Sequence, residues 1–220
     1  MANLDVIELR QYRLHAGRRD ELIDLFDDHL LQPQEESGMR IVGQFRDLDR
    51  PDRFVWLRGF ANMVGRTAAL SDFYYGPVWH RHRATANATM VDSDDVLLLR
   101  PVQSHDPCWE PGQDIALVEV VVRPIARGDE EQELEHVAEQ VMPAVKRAGG
   151  SPLATLVTEP ATNGFPALPV REDEFVVVTL AGFDDAAHHA RYRDLVAPRD
   201  GGVHVLRLTP TSRSRLGKAA

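Results

Sequence analysis

Two kinds of hydrophobic spacing alternate along the first half of the chain. Apolar residues three and four positions apart predict an amphipathic helix, whereas a short apolar or alternating run predicts a strand. These patterns follow one another as a strand at 7–14, a helix at 22–33, strands at 40–47 and 54–60, a helical region at 64–88 and a strand at 96–101. The first half is therefore predicted to have the order β-α-β-β-α-β.

The second half repeats this order. Its predicted elements are a strand at 115–122, a helix between the N-cap candidate Asp129 and Gly149 with its apolar stripe at 134–145, strands at 152–157 and 175–180, a helix at 184–195 and a strand at 203–210. Pro33 and Pro143 both fall late in the first helix of their half, and the run from Phe54 to Phe60 is similar to the run from Phe175 to Phe183. These matches indicate an internal duplication.

The β-α-β-β-α-β order is the ferredoxin-like pattern, in which the helices cover only one face of the sheet. In the strand 54–60, Val55 and Leu57 point to one face and Trp56 to the other, so both faces are apolar. We therefore expect an α+β fold in which two ferredoxin-like modules pack sheet to sheet within one chain. The predicted boundaries are a first module at 1–103, a linker at 104–113, a second module at 114–212 and a flexible tail at 213–220.

Composition narrows the function classes. Hydrophobic residues make up 43% and charged residues 27% of the chain, which is ordinary for a globular protein. The net charge of −9 argues against nucleic acid as a partner, because phosphate binding relies on clustered Lys and Arg. No apolar run is long enough to cross a membrane, and no signal-peptide pattern is visible. The single cysteine, Cys108, excludes an internal disulfide, so we expect a cytoplasmic protein.

The segment from Phe73 to Pro101, with Tyr74-Tyr75-Gly76-Pro77 near its start and Val96-Leu97-Leu98-Leu99-Arg100 at its end, resembles bacterial members of the NIPSNAP family. The resemblance covers nearly all of residues 5–102, and the second half is similar only in its order of elements. It implies a dimeric α/β-barrel fold with both barrel halves in one chain. It implies no particular reaction, because the wider superfamily includes cofactor-free monooxygenases, small-molecule isomerases and haem proteins.

His82 is the candidate catalytic residue. On a helix beginning at Pro77 it shares the apolar face with Trp79, and a half-buried imidazole beside a pocket could move protons near pH 7. The alternative is a packed histidine with one satisfied hydrogen bond. His80 and His82 point in nearly opposite directions on a helix, so they form a poor metal chelate, and no metal site is predicted.

Arg58 is the first candidate for ligand binding, because an arginine in a strand beside Trp56 must find an anion, a carboxylate or water. It could clamp an acidic or phenolate ligand, pair with an acid, or extend to solvent. The other candidate ligand-binding residues are Trp56, Tyr74, Tyr75, Trp79 and Asn87. The aromatic residues among them could instead be ordinary core.

Two functional hypotheses remain open, and with them the question of whether the protein is an enzyme. The first is a small-molecule-binding barrel, in its enzymatic form a cofactor-free oxygenase or isomerase acting on a small polar or aromatic substrate. The second is a binding or scaffold protein without a substrate, for which an exposed sheet edge would permit a homodimer. No cofactor is predicted, although His82 or His136 could serve as the axial ligand in a haem-binding version.

Overall fold

An eight-stranded antiparallel barrel forms the centre of the protein in a computed structural model. The structure describes residues 3–102, 107–109, 114–196 and 202–217. The strands are β1 (Val6–Leu14), β2 (Arg40–Asp47), β3 (Arg53–Phe60), β4 (Met90–Asp92), β5 (Val96–Pro101), β6 (Leu117–Pro124), β7 (Ser151–Thr158), β8 (Val176–Phe183) and β9 (His204–Pro210). Their order is β3-β2-β9-β6-β8-β7-β5-β1, and the pairing of β1 with β3 closes the barrel.

The helices lie on the outside of the barrel. They are α1 (Arg19–Leu25), α2 (Leu31–Glu36), α3 (Met63–Tyr74), α4 (Pro77–Thr89), α5 (Glu130–His136), α6 (Met142–Arg147) and α7 (Ala186–Leu195). A π-helical turn at Phe26–Leu30 joins α1 to α2, and another at Val137–Val141 joins α5 to α6. None of the described helices is long and apolar enough to cross a membrane.

The two halves are similar modules, which confirms the predicted fold class. Within each half the strands pair in the ferredoxin-like order, β5-β1-β3-β2 in the first and β9-β6-β8-β7 in the second. The modules join where β2 pairs with β9 and β5 pairs with β7. Each sheet thus supplies the partner for both edges of the other, and the short β4 is the outermost strand of the described sheet.

Strand alternation divides the side chains between the barrel interior and the helix layers. Ile7, Leu9, Val55 and Leu57 point into the barrel, where they meet aliphatic residues of the second module in one apolar cluster. The opposite face of each sheet packs against its own helices in two further clusters. In the first module this outer face is not purely apolar, and the candidate site lies there.

Several details differ from the sequence expectations. The helical region predicted at 64–88 is two helices, since the chain turns at Gly76 and α4 begins at Pro77. Strand β4 has no counterpart among the predicted elements. In the predicted linker, residues 104–106 and 110–113 lie outside the described residues, as do residues 218–220 of the predicted flexible tail. The start of that tail is packed, because Leu216 is fully buried in the barrel cluster.

Candidate functional site

A buried carboxylate with three arginines occupies the layer between the first sheet and its helices. Glu8 of β1 accepts hydrogen bonds at Oε2 from Arg10 Nη1 and Arg58 Nε, each at 2.7 Å, and at Oε1 from Arg66 Nε, also at 2.7 Å. All four side chains are almost completely buried. We call these four residues the arginine cluster.

The sequence places these side chains together through strand register and helix capping. Glu8 stands opposite Arg58 in the antiparallel pairing of β1 with β3, and Arg10 lies two residues further along the same face of β1. Arg66 lies in the first turns of α3, whose N-cap Asn62 accepts a hydrogen bond from a backbone N–H of the first turn at 2.8 Å. The cap fixes where α3 begins and therefore which residue points at Glu8.

The arginine cluster carries excess positive charge. Burial alone would raise the pKa of Glu8, but Arg58, Arg10 and Arg66 outweigh it and hold that pKa well below its usual range. With the carboxylate ionised, three guanidiniums face a single negative charge, which leaves two positive charges uncompensated within the cluster. Uncompensated charges are costly in a protein interior, so the site favours an additional anion.

Four buried N–H donors on this face of the sheet and its helix layer have no hydrogen-bond partner among the described residues. They are Nη2 of Arg58, Nη2 of Arg66, Nε1 of Trp56 and Nε2 of Gln44, which stands opposite Trp56. The guanidiniums of Arg58 and Arg66 each donate a hydrogen bond from Nε to Glu8, and each leaves its Nη2 amino group without a partner. Buried polar groups are nearly always paired, and an unsatisfied one costs about 1–3 kcal/mol. A bound molecule that accepts hydrogen bonds would remove this penalty.

Aromatic side chains form the walls around the arginine cluster. The guanidinium carbons of Arg10 and Arg58 lie 5.6 and 5.1 Å from the centre of the Trp56 ring, within cation–π range. Arg10 Nε donates to the Tyr12 hydroxyl at 3.0 Å, and Arg58 Nη1 lies 3.4 Å from the Tyr74 hydroxyl. Burial raises the pKa of Tyr12 and keeps its hydroxyl neutral. The aromatic rings therefore surround the buried charges with apolar surface.

Only part of the set of residues proposed from the sequence comes together. Arg58, Trp56 and Tyr74 belong to this layer, and Trp79 adjoins it through an edge contact with Tyr74, with ring centres 5.0 Å apart. Tyr75 is 68% exposed. Asn87 is exposed on α4 and shows no contact with the arginine cluster.

His82 lies in a different environment. Its ring stacks on that of His29 in the first π turn, with ring centres 4.5 Å apart. Burial, followed by the neighbouring His29 and Arg81, lowers the pKa of His82. The imidazole is therefore neutral near pH 7, but its contact with His29 does not bring it into the arginine cluster.

Sequence reasoning missed Glu8, Arg10 and Arg66. The alternation of Ile7, Glu8, Leu9 and Arg10 did contain a signal, since it places both charges on the face opposite the apolar residues. That face becomes buried only because α3 and the π turn cover it, which single-strand periodicity cannot show.

The second module has a reduced version of the same arrangement. Buried Glu119 on β6 contacts His189 Nε2 at 2.6 Å and Arg193 Nη1 at 3.4 Å. His189 follows the N-cap Asp185 at the spacing that separates Arg66 from Asn62. The residue opposite Glu119 is Ala181, where the first module has Arg58. Positive excess around the buried glutamate is thus a feature of the first module.

Three clefts among the described residues have no residue of the arginine cluster in their lining, although one of them, of about 240 Å³, is lined by Leu98, which stands opposite Glu8 in the pairing of β1 with β5. A larger cleft, of about 650 Å³, is lined by Arg123, His136 and acidic residues that include Asp129, Glu135 and Glu139. Its carboxylates would repel the propionates of a haem, and His82 stacks on His29 rather than lining this cleft. We take the arginine cluster as the candidate functional site because its unsatisfied charge and donors, rather than open volume, favour an additional anion there.

Comparison with known proteins supports the fold. The NIPSNAP family model matches residues 7–105. A candidate monooxygenase from Lactobacillus acidophilus superposes with a TM-score of 0.57 at 13% identity, covering 94% of each chain. One from Fusobacterium nucleatum gives 0.56 at 8% identity, covering 96% of this chain and 94% of that one. An anthrone oxidase-like protein gives 0.53 at 12% identity, covering 99% and 98%.

At these identities the structural matches establish a shared barrel fold alone. No curated protein matches the chain by sequence.

Proposed function

We propose that the protein, whose residues 7–105 belong to the NIPSNAP family, binds a small organic anion at the arginine cluster. The described residues of both modules form one barrel, and the cluster lies on the outer face of its first sheet. The anionic group of the ligand would accept hydrogen bonds from Arg58 Nη2 and Arg66 Nη2. Its apolar body would lie against Trp56 and Tyr74. The second module would contribute the other half of the barrel rather than an equivalent site.

The observation that carries this proposal is the pair of unused arginine amino groups. Both guanidiniums are fully buried, both touch the same carboxylate through Nε, and both leave Nη2 without a partner among the described residues. Charge-assisted hydrogen bonds are about twice as strong as neutral ones. A carboxylate, enolate or phenolate oxygen is the ligand chemistry that satisfies two such donors at once.

In enzymatic form, the same geometry supports cofactor-free oxygenation or isomerisation of a small polar or aromatic substrate. Two uncompensated positive charges in a buried site lower the pKa of a bound enol or phenol and thereby stabilise its anion. Glu8 is a poor base because its pKa is held low. His82, neutral near pH 7, is the proposed proton acceptor, and a substrate bound at the arginine cluster would have to extend to the His29–His82 pair to transfer its proton. Proteins named as candidate monooxygenases use the same barrel fold, which is compatible with this reaction class.

The competing function is a scaffold in which the arginine cluster has only a structural role. One observation favours it: the four residues of the arginine cluster connect β1, β3 and α3, so they would hold sheet and helix together without any ligand. The two functions differ in whether the unused amino groups bind an added anion.

The test is calorimetric titration with benzoate as the probe. Arg66→Gln should weaken benzoate binding by about ten- to a hundredfold, because a charge-assisted hydrogen bond contributes about 1.5–3 kcal/mol. His189→Gln, which changes the corresponding contact in the second module, is the matched control and should leave the affinity unchanged. His82→Ala should also leave it unchanged. Equal affinities in wild type and Arg66→Gln, or no binding at all, would favour the scaffold.

A further inference from the structure

The long segment between β7 and β8 of the second module crosses onto the first module. This segment, residues 159–175, is fixed to β5 at both ends. The Glu159 N–H donates to the Leu98 carbonyl at 2.9 Å, and the Arg171 N–H donates to the Val96 carbonyl at 2.8 Å. The Arg171 guanidinium also bonds Asp95 at 3.1 Å. The middle of the segment therefore lies over the helix layer of the first module.

Asn163 in this segment contacts the arginine cluster directly. Its Oδ1 accepts from Arg66 Nη1 at 2.9 Å and from the Phe165 N–H at 3.1 Å, while its Nδ2 donates to the Leu168 carbonyl at 2.9 Å. Arg66 is thus held at Nε by Glu8 and at Nη1 by Asn163, and these two contacts direct its unused Nη2. A residue of the second module fixes the orientation of a donor in the first.

Phe165 closes the aromatic wall next to Asn163. It is 4% exposed and belongs to the apolar cluster of the first helix layer. Its ring centre lies 6.0 Å from that of Tyr74 and 5.7 Å from that of Tyr75. Gly164, between Asn163 and Phe165, passes so close to α3 that an added Cβ would lie 2.5 Å from the hydroxyl oxygen of Thr67. The segment therefore packs tightly over Arg66.

The base of the segment is less tightly packed than its middle. A cleft of about 240 Å³ is lined by both limbs, including Thr162 and Glu159 on one side and Arg171 and Phe175 on the other. The corresponding connection of the first module, residues 48–52, is a short turn whose Asp49 pairs with Arg207 of β9. Within the described residues, the first module is covered by a long segment of the second, whereas the corresponding connection of the first module is too short to cover the second.

We infer that the second module completes the anion site of the first: Asn163 positions Arg66, and Phe165 closes the site, so that ligand exchange requires the segment to move away from α3. The inference rests on the proposed function. It follows from the burial of both Nη2 atoms, since a ligand in solution cannot reach them while Asn163 and Phe165 occupy the places described. The ligand class stays the same, a small anion with an apolar body.

A reversible cross-link tests this directly. A Cβ added to Gly164 would lie 3.7 Å from Thr67 Cβ, close to the mean of about 3.8 Å in disulfides. The variant is Thr67→Cys with Gly164→Cys in a Cys108→Ser background, because Cys108 is the only native cysteine. Benzoate association is followed by stopped-flow tryptophan fluorescence in the oxidised and the dithiothreitol-reduced protein.

We expect oxidation to slow benzoate association by about tenfold or more and reduction to restore it, as for other gated sites. Cys108→Ser alone should show no response to dithiothreitol. Equal rates in the oxidised and reduced double-cysteine variant would overturn this inference while leaving the proposed function in place. If neither the wild type nor any variant bound benzoate, the proposed function would fail and the inference with it.

A second pair of variants separates positioning from a merely structural role of Asn163. Asn163→Asp keeps the oxygen that Arg66 needs but adds a negative charge beside the ligand, so it should weaken benzoate binding more than Asn163→Ala does. A purely structural role predicts the opposite order, because aspartate preserves the contact with Arg66. That opposite order would overturn the assignment of Asn163.

Discussion

At the scale of single residues, Arg58 shows how much of a side chain's role the local sequence can predict. Its position between Trp56 and Phe60 already indicates that it needs an anionic partner. The structure shows the pairing with an acid, through Nε and Glu8, and leaves Nη2 for the ligand that we propose. The identity of the acid, Glu8, depends on the register between β1 and β3. Arg66 depends on how α3 packs, so no spacing in the sequence identifies it.

Glu8 provides a prediction about pH at this scale. Its pKa lies below its ordinary value of 4.5 in the folded state, so its contribution to stability is full above that value and is lost as the pH falls toward the folded pKa. Glu8→Gln should lower the free energy of unfolding by about 3–5 kcal/mol near neutral pH, because it leaves buried arginines unpaired.

The difference between wild type and Glu8→Gln should therefore shrink as the pH falls from about 5 to about 3. Urea denaturation of both proteins across this range measures it. The other carboxylates titrate in both proteins, so they cancel in the difference. A difference that stays constant down to the lowest pH at which both proteins fold would show that Glu8 is not held ionised by the three arginines.

At the scale of elements, the two modules share the same local structural features, but only the first surrounds its buried glutamate with three arginines. Each has a π turn in its first helix, a strand bulge early in the following strand, and a capped helix that carries the residue facing the buried glutamate. Hydrophobic spacing predicted the helices and strands closely, and Pro77 was correctly expected to begin a helix. The π turns have no signature in hydrophobic spacing, because they change a backbone hydrogen bond rather than the apolar stripe.

The two helix caps give a matched prediction. Asn62 caps α3 by accepting from the Gly65 N–H at 2.8 Å, and Asp185 caps α7 by accepting from the His188 N–H at 2.7 Å. Replacing either by alanine should lower the free energy of unfolding by about 1 kcal/mol. Only Asn62→Ala should also weaken benzoate binding, since α3 carries Arg66.

Urea denaturation and calorimetric titration of the two variants check this pair. If Asp185→Ala weakened benzoate binding as much as Asn62→Ala, the effect would come from general loss of stability. The anion site would then not belong specifically to the first module.

At the scale of the whole molecule, the barrel is the feature that the sequence predicts best. Two copies of one order of elements, each with an apolar second sheet face, imply sheet-to-sheet packing, and the structure adds that the edges pair as well. The cross-module path of residues 159–175 was beyond sequence reasoning. Its contacts with Arg66 and β5 connect residues far apart in the chain, and its Pro- and Gly-containing sequence predicts only a loop.

The closed barrel predicts that the first module cannot stand alone as a monomer. Without the second module, residues 3–102 would expose the inner face around Ile7, Leu9, Val55 and Leu57, and the edges of β2 and β5 would lose their partners. We expect this fragment to associate with itself or to remain unfolded. Sedimentation velocity combined with circular dichroism measures both, and a folded, stable monomer would contradict the expectation.

A crystal structure with 4-bromobenzoate would show whether the unused amino groups of Arg58 and Arg66 bind an organic anion. We expect a bromine anomalous peak in the layer between β3 and α3, with the probe's carboxylate within about 3.2 Å of both Nη2 atoms. Ordered water on both Nη2 atoms, with the probe absent or bound elsewhere, such as beside Arg123, would contradict it.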